Sequence, residues 1–132
     1  MTASTTPERQ YRALIVEDDP AIRRLVEKLL TRRHFLIDTA HDGLEAVNKL
    51  RNGKYSVLIL DLMVPELNGF EVIEFLKAEN LRIPVAVVSA VSQQALTRLD
   101  LDVVKLVISK PFDVDEFTKG VLELCAEAEG NA

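Results

Sequence analysis

Four short polar segments of this chain carry side chains suited to binding a divalent cation and a phosphoryl group. Each segment stands at the end of an apolar run, and the segments are Glu17-Asp18-Asp19, Asp61, Ser89 and Lys110-Pro111. In an open parallel sheet, ligands bind beyond the carboxyl ends of the strands. Carboxylates, a hydroxyl and an ammonium placed at that edge can hold a hard cation and a phosphoryl group together.

The crowding of acidic side chains predicts a cation site. If Glu17, Asp18 and Asp61 come close together, they repel one another and raise one another's pKa. A hard divalent cation relieves that repulsion, and Mg²⁺ prefers oxygen ligands, keeps bound water and shares phosphate oxygens. We therefore predict Mg²⁺ as the cofactor, with Mn²⁺ as a substitute.

Asp61 is the candidate nucleophile. It follows the apolar run at 57–60, and a carboxylate exposed at a strand end can form an aspartyl phosphate. Phosphoryl transfer asks a protein mainly for positioning and charge neutralisation. The Ser89 hydroxyl can donate a hydrogen bond to a phosphoryl oxygen, and the Lys110 ammonium can supply a positive charge.

Length and composition describe one soluble domain. The chain has 132 residues, of which 48% are hydrophobic, and a net charge of −5, which suits a single core and disfavours direct nucleic-acid binding. Cys125 is the single cysteine, so neither a disulfide framework nor a thiolate metal site is predicted. Residues 1–10 lack the apolar stretch of a signal peptide, and no segment reaches transmembrane length. We expect a cytoplasmic protein with no membrane association.

Strand-like apolar runs alternate with segments of helical period along the chain. Strands are predicted at 13–16, 35–40, 57–60, 84–88 and 106–109, and helices from Pro20, near 44–50, from Gly69, over 92–99 and after Asp113. Five β-then-α units predict an α/β fold, a doubly wound parallel sheet with helices on both faces. Right-handed crossovers put every βα turn at one sheet edge, so the four polar segments are expected to converge.

Each polar segment also has an ordinary structural explanation. An acidic triplet before a helix commonly serves as a cap, and Asp61 alone suits a turn. Ser89 alone suits a cap, and Lys110-Pro111 is a common loop dipeptide. All four at successive strand ends of one sheet favour the functional interpretation.

Other reactive side chains are interpreted as structural. The basic stretch at 23–33 is interpreted as the solvent-facing side of a helix. His34 and His41 are assigned to the surface or to turns, because no partner lies at metal-ligand spacing. Cys125 is expected to pack as a small apolar residue on the last helix.

The combined motif resembles the receiver domain of two-component response regulators, including the chemotaxis regulators. The matching segments, within a span from about Tyr11 to about Glu127, are 14–20 (LIVEDDP), 61–65 (DLMVP) with Gly69, 89–90 (SA) and 110–112 (KPF). The resemblance implies a flavodoxin-like (βα)5 fold with strand order 2-1-3-4-5. It also implies a receiver domain over 11–127, a disordered N-terminal tail over 1–10 and a C-terminal tail over 128–132.

The resemblance assigns the metal ligands. Glu17 and Asp18 resemble the acidic pair, with Asp18 as the direct ligand and Glu17 acting through water, and Asp61 is a further ligand. The backbone carbonyl of Met63 matches the family's main-chain ligand. Asp19 falls one position too late for the pair and keeps a capping role.

The resemblance also assigns the phosphorylation machinery. Asp61 resembles the phosphoacceptor, Ser89 the switch hydroxyl and Lys110 the phosphate-pairing lysine. Three residues before that lysine the family often has an aromatic switch residue, but here the position is Val107. Valine is stiff and has no ring to swing, so signal transmission is expected to differ from the usual aromatic route.

The implied function is that of a phosphorylated switch rather than a turnover enzyme. A sensor histidine kinase or a phosphotransfer protein would phosphorylate Asp61 with Mg²⁺ bound, and slow autodephosphorylation would reverse it. Ser89 and Lys110 would then be drawn inward, changing the surface formed by the fourth helix, fifth strand and fifth helix. The output would be a downstream protein effector or a fused domain that this sequence does not contain, and pairing into a homodimer through the last two helices is open.

Three alternatives remain at this point. The first is a phosphorylation-independent docking module with the receiver fold, which Val107 favours. The second is a phosphatase of the haloacid dehalogenase type, which requires a second Asp two residues after the nucleophile, where this chain has Met63. A flavin-binding module is disfavoured, because the first turn offers acids where a phosphate cradle needs glycines and hydroxyls.

Overall fold

The near-continuous apolar runs form the middle layer of the molecule. In the computed structural model, which describes residues 10–130, the strands are β1 (Arg12–Val16), β2 (Leu36–Ala40), β3 (Val57–Leu60), β4 (Val85–Ser89) and β5 (Val104–Ser109). They form one parallel sheet in the order β2-β1-β3-β4-β5. The predicted α/β fold and strand order are therefore confirmed.

One helix follows each strand. The helices are α1 (Pro20–Thr31), α2 (Gly43–Asn52), α3 (Gly69–Ala78), α4 (Gln93–Leu96) and α5 (Val114–Gly130). Side-chain oxygens cap the first turns of several helices. Asp19, as the sequence predicts, accepts from the amides of the first turn of α1, and Asn68 forms a capping box with Glu71 on α3. Such caps satisfy backbone N–H groups that no helical carbonyl can reach.

Two apolar layers cover the sheet. On one face, α1 and α5 pack buried side chains such as Val26, Leu30 and Phe117 against β1, β3, β4 and β5. On the other face, α2 and α3 contribute Leu50 and Leu76, among others, to a second core. Burial on both faces explains why the strand sequences are nearly all apolar rather than alternating.

Register at the carboxyl edge fixes the backbone of the predicted site. The Asp61 amide donates to the Val16 carbonyl at 3.0 Å, and the Glu17 amide donates to the Ala40 carbonyl at 3.0 Å. The start of α3 lies directly against this edge, since a Cβ added at Gly69 would come within 2.6 Å of the Leu62 Cα. The glycine of the sequence motif is thus required by close packing of backbone on backbone.

The fourth helix is shorter than the sequence predicts. Ser92 caps it, but α-helical structure ends at Leu96 and not at Leu99. Beyond Leu96 the chain continues with tighter bonds, such as the Leu99 amide to the Leu96 carbonyl at 3.1 Å. This tighter turn allows Leu99 to enter the core, where it is buried, so tertiary packing overrides helical continuation.

The start of β5 differs from the prediction, and β2 contains a charged residue. β5 begins at Val104, two residues before the predicted start at Leu106. Asp38, which weakens the strand pattern, lies within β2 at the sheet edge, where Arg12 and the Tyr55 hydroxyl each donate to its carboxylate at 2.7 Å. The acid is tolerated in a strand because its charge is neutralised there.

The helix α5 continues to Gly130, past the predicted domain end at 127. The predicted N-terminal tail over 1–10 lies outside the described residues except for Gln10. No helix within residues 10–130 has both the length and the apolar character needed to cross a bilayer.

Candidate functional site

The carboxyl ends of β1, β3, β4 and β5 bring the predicted site residues together. The Ser89 hydroxyl donates to Asp61 Oδ1 at 2.8 Å. The Lys110 ammonium donates to Asp61 Oδ2 at 2.9 Å and to Glu17 Oε1 at 2.7 Å. Residues separated by up to 93 positions in sequence therefore form one hydrogen-bonded cluster.

The site is a cluster of buried polar side chains. Among residues 10–130, four polar or charged residues are buried, and three of them are Glu17, Asp61 and Ser89, which are 4%, 5% and 3% exposed. Burying a carboxylate is costly unless it is paired and hydrogen-bonded. A domain that buries two carboxylates side by side retains them for a reason other than stability.

Asp61 is held in its ionised form. Burial, the largest single influence, raises its pKa, but hydrogen bonds from the Met63 amide, the Lys110 ammonium and the Ser89 hydroxyl together outweigh burial and lower the pKa. The Met63 amide reaches Oδ1 at 3.0 Å. The anionic form, which is the nucleophilic form of a carboxylate, is thus favoured at neutral pH.

Glu17 responds in the opposite direction. Burial raises its pKa and outweighs the hydrogen bonds from Lys110 and the Asp19 amide, while the negative charge of Asp61 raises it further. The prediction that the acids raise one another's pKa is therefore right for Glu17 and wrong for Asp61, because Asp61 receives more donors. Burial tends to lower the pKa of Lys110, but its hydrogen bonds with both acids raise it overall.

The three predicted carboxylate ligands converge. One carboxylate oxygen from each of Glu17, Asp18 and Asp61 lies within 4.8 Å of the others, with Asp18 exposed at the mouth of the site. Three carboxylates next to a single lysine leave an excess of negative charge, which matches the oxygen-rich ligand set of Mg²⁺. The donor set therefore fits a divalent cation, while the role of the Met63 carbonyl stays a prediction.

The two switch positions lie in different surroundings. Ser89 already contacts Asp61, and its Oγ accepts from the Leu62 amide at 3.3 Å. The predicted inward movement of Ser89 and Lys110 is therefore not needed to reach Asp61. Val107 lies beside Val87 in the sheet register and is 39% exposed on the edge strand β5.

Arg23 is a contributor that the sequence interpretation missed. It was assigned to the solvent-facing side of a helix, but its Nη1 donates to the Glu17 carbonyl at 2.8 Å and lies 3.5 Å from the Asp18 carbonyl. Its side chain thus bends back from α1 onto the acidic turn.

The residues interpreted as structural behave as predicted. His34 occupies a turn with φ 67°, and His41 is exposed, with Nδ1 2.6 Å from Glu45 Oε1. Cys125 lies on the buried face of α5 and packs in the core, where burial raises the pKa of its thiol to about 12. The described part of the chain shows one candidate cluster for a cation, and none of these three residues belongs to it.

Comparison with known sequences agrees with this geometry. The response regulator receiver domain family matches residues 13–122. The response regulator ArlR of Staphylococcus aureus is 32% identical over 105 residues, which cover 78% of this chain and 47% of ArlR. The chain therefore spans about half the length of such relatives.

Solved structures of receiver domains share the fold. The response regulator TrrA of Thermotoga maritima, solved in complex with Mg²⁺ and beryllofluoride, is 30% identical, with a TM-score of 0.77 over 86% of this chain and 98% of TrrA. The receiver domain of a putative Luxo repressor protein from Vibrio parahaemolyticus is 21% identical, with a TM-score of 0.87 over 93% of this chain and 95% of that chain. The second likeness bears on the fold alone. This chain belongs to the response regulator receiver domain family and is a regulatory receiver domain of the two-component type.

Proposed function

We propose that Asp61 is the phosphoacceptor of this receiver domain. The observation that carries the proposal is the set of donors around one buried carboxylate: Ser89 and the Met63 amide on Oδ1, and Lys110 on Oδ2. These donors keep Asp61 anionic and fix its orientation at the open edge of the sheet. Phosphoryl transfer depends mainly on such positioning.

The proposed reaction is an in-line displacement at phosphorus. A carboxylate oxygen of Asp61 forms a bond to the phosphorus of a phosphohistidine on the donor protein. The P–N bond breaks, and its electron pair remains on the imidazole nitrogen. The product is an aspartyl phosphate, an acyl phosphate that water later hydrolyses to the carboxylate and inorganic phosphate.

A divalent cation completes the site in this proposal. Asp18 and Asp61 would hold Mg²⁺, or Mn²⁺ in its place, with Glu17 acting through water and the Met63 carbonyl as a main-chain ligand. When bound, the cation neutralises charge on the transferring phosphoryl group. Support comes from the convergence of the three carboxylates and from TrrA, a relative whose structure holds Mg²⁺ with beryllofluoride.

Ser89 and Lys110 are proposed to follow the phosphoryl group. Both already bond to Asp61, so a phosphoryl group on Asp61 would exchange those bonds for bonds to its own oxygens. Ser89 ends β4 and Lys110 follows β5, so their movement would change the surface formed by α4, β5 and α5. With Val107 in place of an aromatic ring, we propose that displacement of the β4–α4 and β5–α5 connections carries the signal.

The proposal extends to partners and setting. The phosphoryl donor is a sensor histidine kinase or a phosphotransfer protein in the cytoplasm, and the output is a protein effector or an output domain of a longer regulator. The domain, whose last helix continues to Gly130, acts without direct nucleic-acid or membrane contact. It catalyses its own phosphorylation and slow dephosphorylation without serving as a turnover enzyme. A homodimer through the last two helices is an open element of this proposal.

Intact-mass spectrometry with a small phosphodonor tests the phosphoacceptor. With acetyl phosphate and Mg²⁺, the chain should gain one phosphoryl group, and borohydride reduction should convert residue 61 to homoserine. Asp61→Asn should gain no phosphoryl group. The control Asp38→Asn alters a carboxylate that is paired with Arg12 on the edge strand β2, away from the site, and should be phosphorylated normally. Equal phosphorylation of Asp61→Asn would refute the assignment.

A docking module that works without phosphorylation is the second candidate. Val107 favours it, because the aromatic switch residue that the family often has at this position is absent. Kinase-dependent radiolabelling separates the two candidates. Label that depends on Asp61 supports the phosphorylated switch, and a chain that its cognate kinase never labels supports the docking module.

A further inference from the structure

We propose that Arg23 is a positioning residue for the metal-binding acids, acting through the backbone of the β1–α1 turn. This inference rests on the proposed Mg²⁺ site, and it adds a residue that the acid, hydroxyl and lysine set does not contain. Arg23 touches neither Asp61 nor the place of the phosphoryl group. Its side chain contacts the backbone carbonyls of Glu17 and Asp18.

The Arg23 guanidinium contacts the β1–α1 turn from the side of the helix. Arg23 lies in the second half of the first turn of α1, where its own amide donates to the Asp19 carbonyl at 2.9 Å. Its side chain folds back so that Nη1 donates to the Glu17 carbonyl at 2.8 Å, with the Asp18 carbonyl at 3.5 Å on the same nitrogen. One group thus orients two consecutive peptide planes.

The rest of the turn is held from the opposite side. Glu17 Oε1 is bound by Lys110, and Glu17 Oε2 accepts from the Asp19 amide at 3.1 Å. Asp19 in turn caps α1 through the Ala21 amide at 2.8 Å. Glu17 is therefore fixed at both its side chain and its carbonyl.

Asp18 depends on Arg23 more than Glu17 does. Within residues 10–130, its exposed carboxylate takes part in no hydrogen bond or ion pair, so its position follows from the backbone on either side. Arg23 restrains that backbone through the carbonyl of Glu17, the preceding residue, and through the carbonyl of Asp18 itself. Mutation of a group that orients a metal ligand without touching the metal commonly lowers metal affinity about 10- to 100-fold.

Charge and positioning make opposite demands on Arg23. A guanidinium beside a cation site repels the incoming cation, so its charge alone would weaken Mg²⁺ binding. Its Nη1, which contacts both carbonyls, restrains the turn and would strengthen binding. We infer that positioning prevails, because the contact is with backbone oxygens rather than with the carboxylates.

A set of three variants separates these contributions. Arg23→Lys keeps the charge but is shorter and lacks the guanidinium that reaches the turn. Arg23→Gln loses the charge, and Arg24→Lys is the matched control on the exposed side of the same helix. The Kd for Mg²⁺ would be measured by titrating amide resonances of the acidic turn. We expect both Arg23 variants to bind Mg²⁺ about 10-fold more weakly, and Arg24→Lys to remain within about twofold of the unmodified chain.

A metal-free measurement supplies the second readout. Hydrogen exchange at the Asp18 and Asp19 amides should be faster in Arg23→Lys than in the unmodified chain, while exchange in the core strands stays the same. A lower melting temperature with an unchanged Kd would make Arg23 a merely structural residue and overturn the inference. Unchanged binding by Arg23→Lys, or tighter binding by Arg23→Gln, would show that charge alone acts.

The inference and the proposed function fail differently. If the unmodified chain binds no Mg²⁺, the metal site is refuted and the role of Arg23 falls with it. If the chain binds Mg²⁺ but Asp61 is not phosphorylated, the proposed function fails while the role of Arg23 stands on its own measurements.

Discussion

Two networks of similar composition lie in different parts of this molecule. At the carboxyl edge, Lys110 bridges Glu17 and Asp61, and at the edge strand β2, Arg12 pairs with Asp38 while Tyr55 donates to the same carboxylate. Both join a cation to carboxylates through bonds of 2.7–2.9 Å. They differ in charge balance and in burial.

The Arg12 network is balanced and wet. One cation meets one acid, the side chains of Arg12 and Asp38 are 44% and 31% exposed, and Arg12 also lies over the Tyr55 ring. The Lys110 network is unbalanced and dry, since one cation serves two acids that are each 6% exposed at the side chain. The comparison teaches that a buried surplus of charge, rather than the presence of an ion pair, distinguishes the site from the scaffold.

The largest expected difference between the networks concerns phosphorylation rate. Lys110→Ala removes the cation that faces the transferring phosphoryl group, and losing one such group costs about 100-fold in rate. Arg12→Ala, the matched change in the other network, should leave the rate within about twofold. Initial rates with acetyl phosphate and Mg²⁺ provide the measurement. Equal losses in both variants would mean that the two networks are not functionally distinct.

Without metal, removing a carboxylate charge should change the free energy of unfolding with opposite signs in the two networks. In Glu17→Gln, Lys110 keeps Asp61 as its partner, so a surplus buried charge disappears and no charge is left unpaired. We expect this variant to be stabilised by about 1 kcal/mol and Asp38→Asn, which loses a charge-assisted pair, to be destabilised by about 0.5–1 kcal/mol. Chemical denaturation in the presence of a chelator tests both. Destabilisation of Glu17→Gln would contradict the surplus-charge account.

Acidification should reduce the stability differences of Glu17→Gln and Asp38→Asn from the unmodified chain. The Tyr55 hydroxyl and Arg12 hold the pKa of Asp38 below its ordinary value of 3.8, so its ionised form stabilises the fold above that value and the stabilisation is lost as pH falls. Burial raises the pKa of Glu17 above 4.5, so stability is present at low pH and is lost as pH rises past that value. Both stability differences should therefore shrink as the pH falls below the ordinary pKa of 3.8 for an Asp carboxyl, as denaturation across a pH series would show. Differences that keep their size in acid would have a cause other than charge.

The smallest expected effect concerns the lifetime of the phosphorylated state. The Met63 side chain, 66% exposed, stands two residues after Asp61, and the partly buried Val91 stands two residues after Ser89. We expect these apolar groups to hinder attacking water, so that Met63→Gln releases phosphate faster than the unmodified chain. Decay of the phosphorylated mass after removal of acetyl phosphate measures this rate. The same decay rate in Met63→Gln would remove the idea.

Much of the fold followed from the sequence because burial on both sheet faces leaves a simple pattern. Runs such as 13–16 and 57–60 are apolar without interruption, and their order along the chain fixes a parallel sheet. The fourth helix was predicted too long, because its end depends on Leu99 entering the core. That packing is a property of the tertiary structure and leaves no mark on local periodicity.

The candidate site was predictable in membership and less so in energetics. Topology alone brought Glu17, Asp61, Ser89 and Lys110 to one edge. The sequence did not reveal that Asp61 collects three donors while Glu17 collects fewer, so the opposite shifts of their pKa values were missed. Arg23 was missed because a helical pattern marks a side chain as exposed without showing that it can bend back onto the preceding turn.

Beryllofluoride binding tests the central claim most directly. Beryllofluoride mimics a phosphoryl group, and with Mg²⁺ it should shift the amide resonances around Asp61, Ser89 and Lys110 while leaving those around Arg12, Asp38 and Tyr55 in place. The shifts should require Mg²⁺ and should be absent in Asp61→Asn. An unchanged spectrum, or the same shifts in Asp61→Asn, would contradict a Mg²⁺-dependent phosphoacceptor at the carboxyl edge of the sheet.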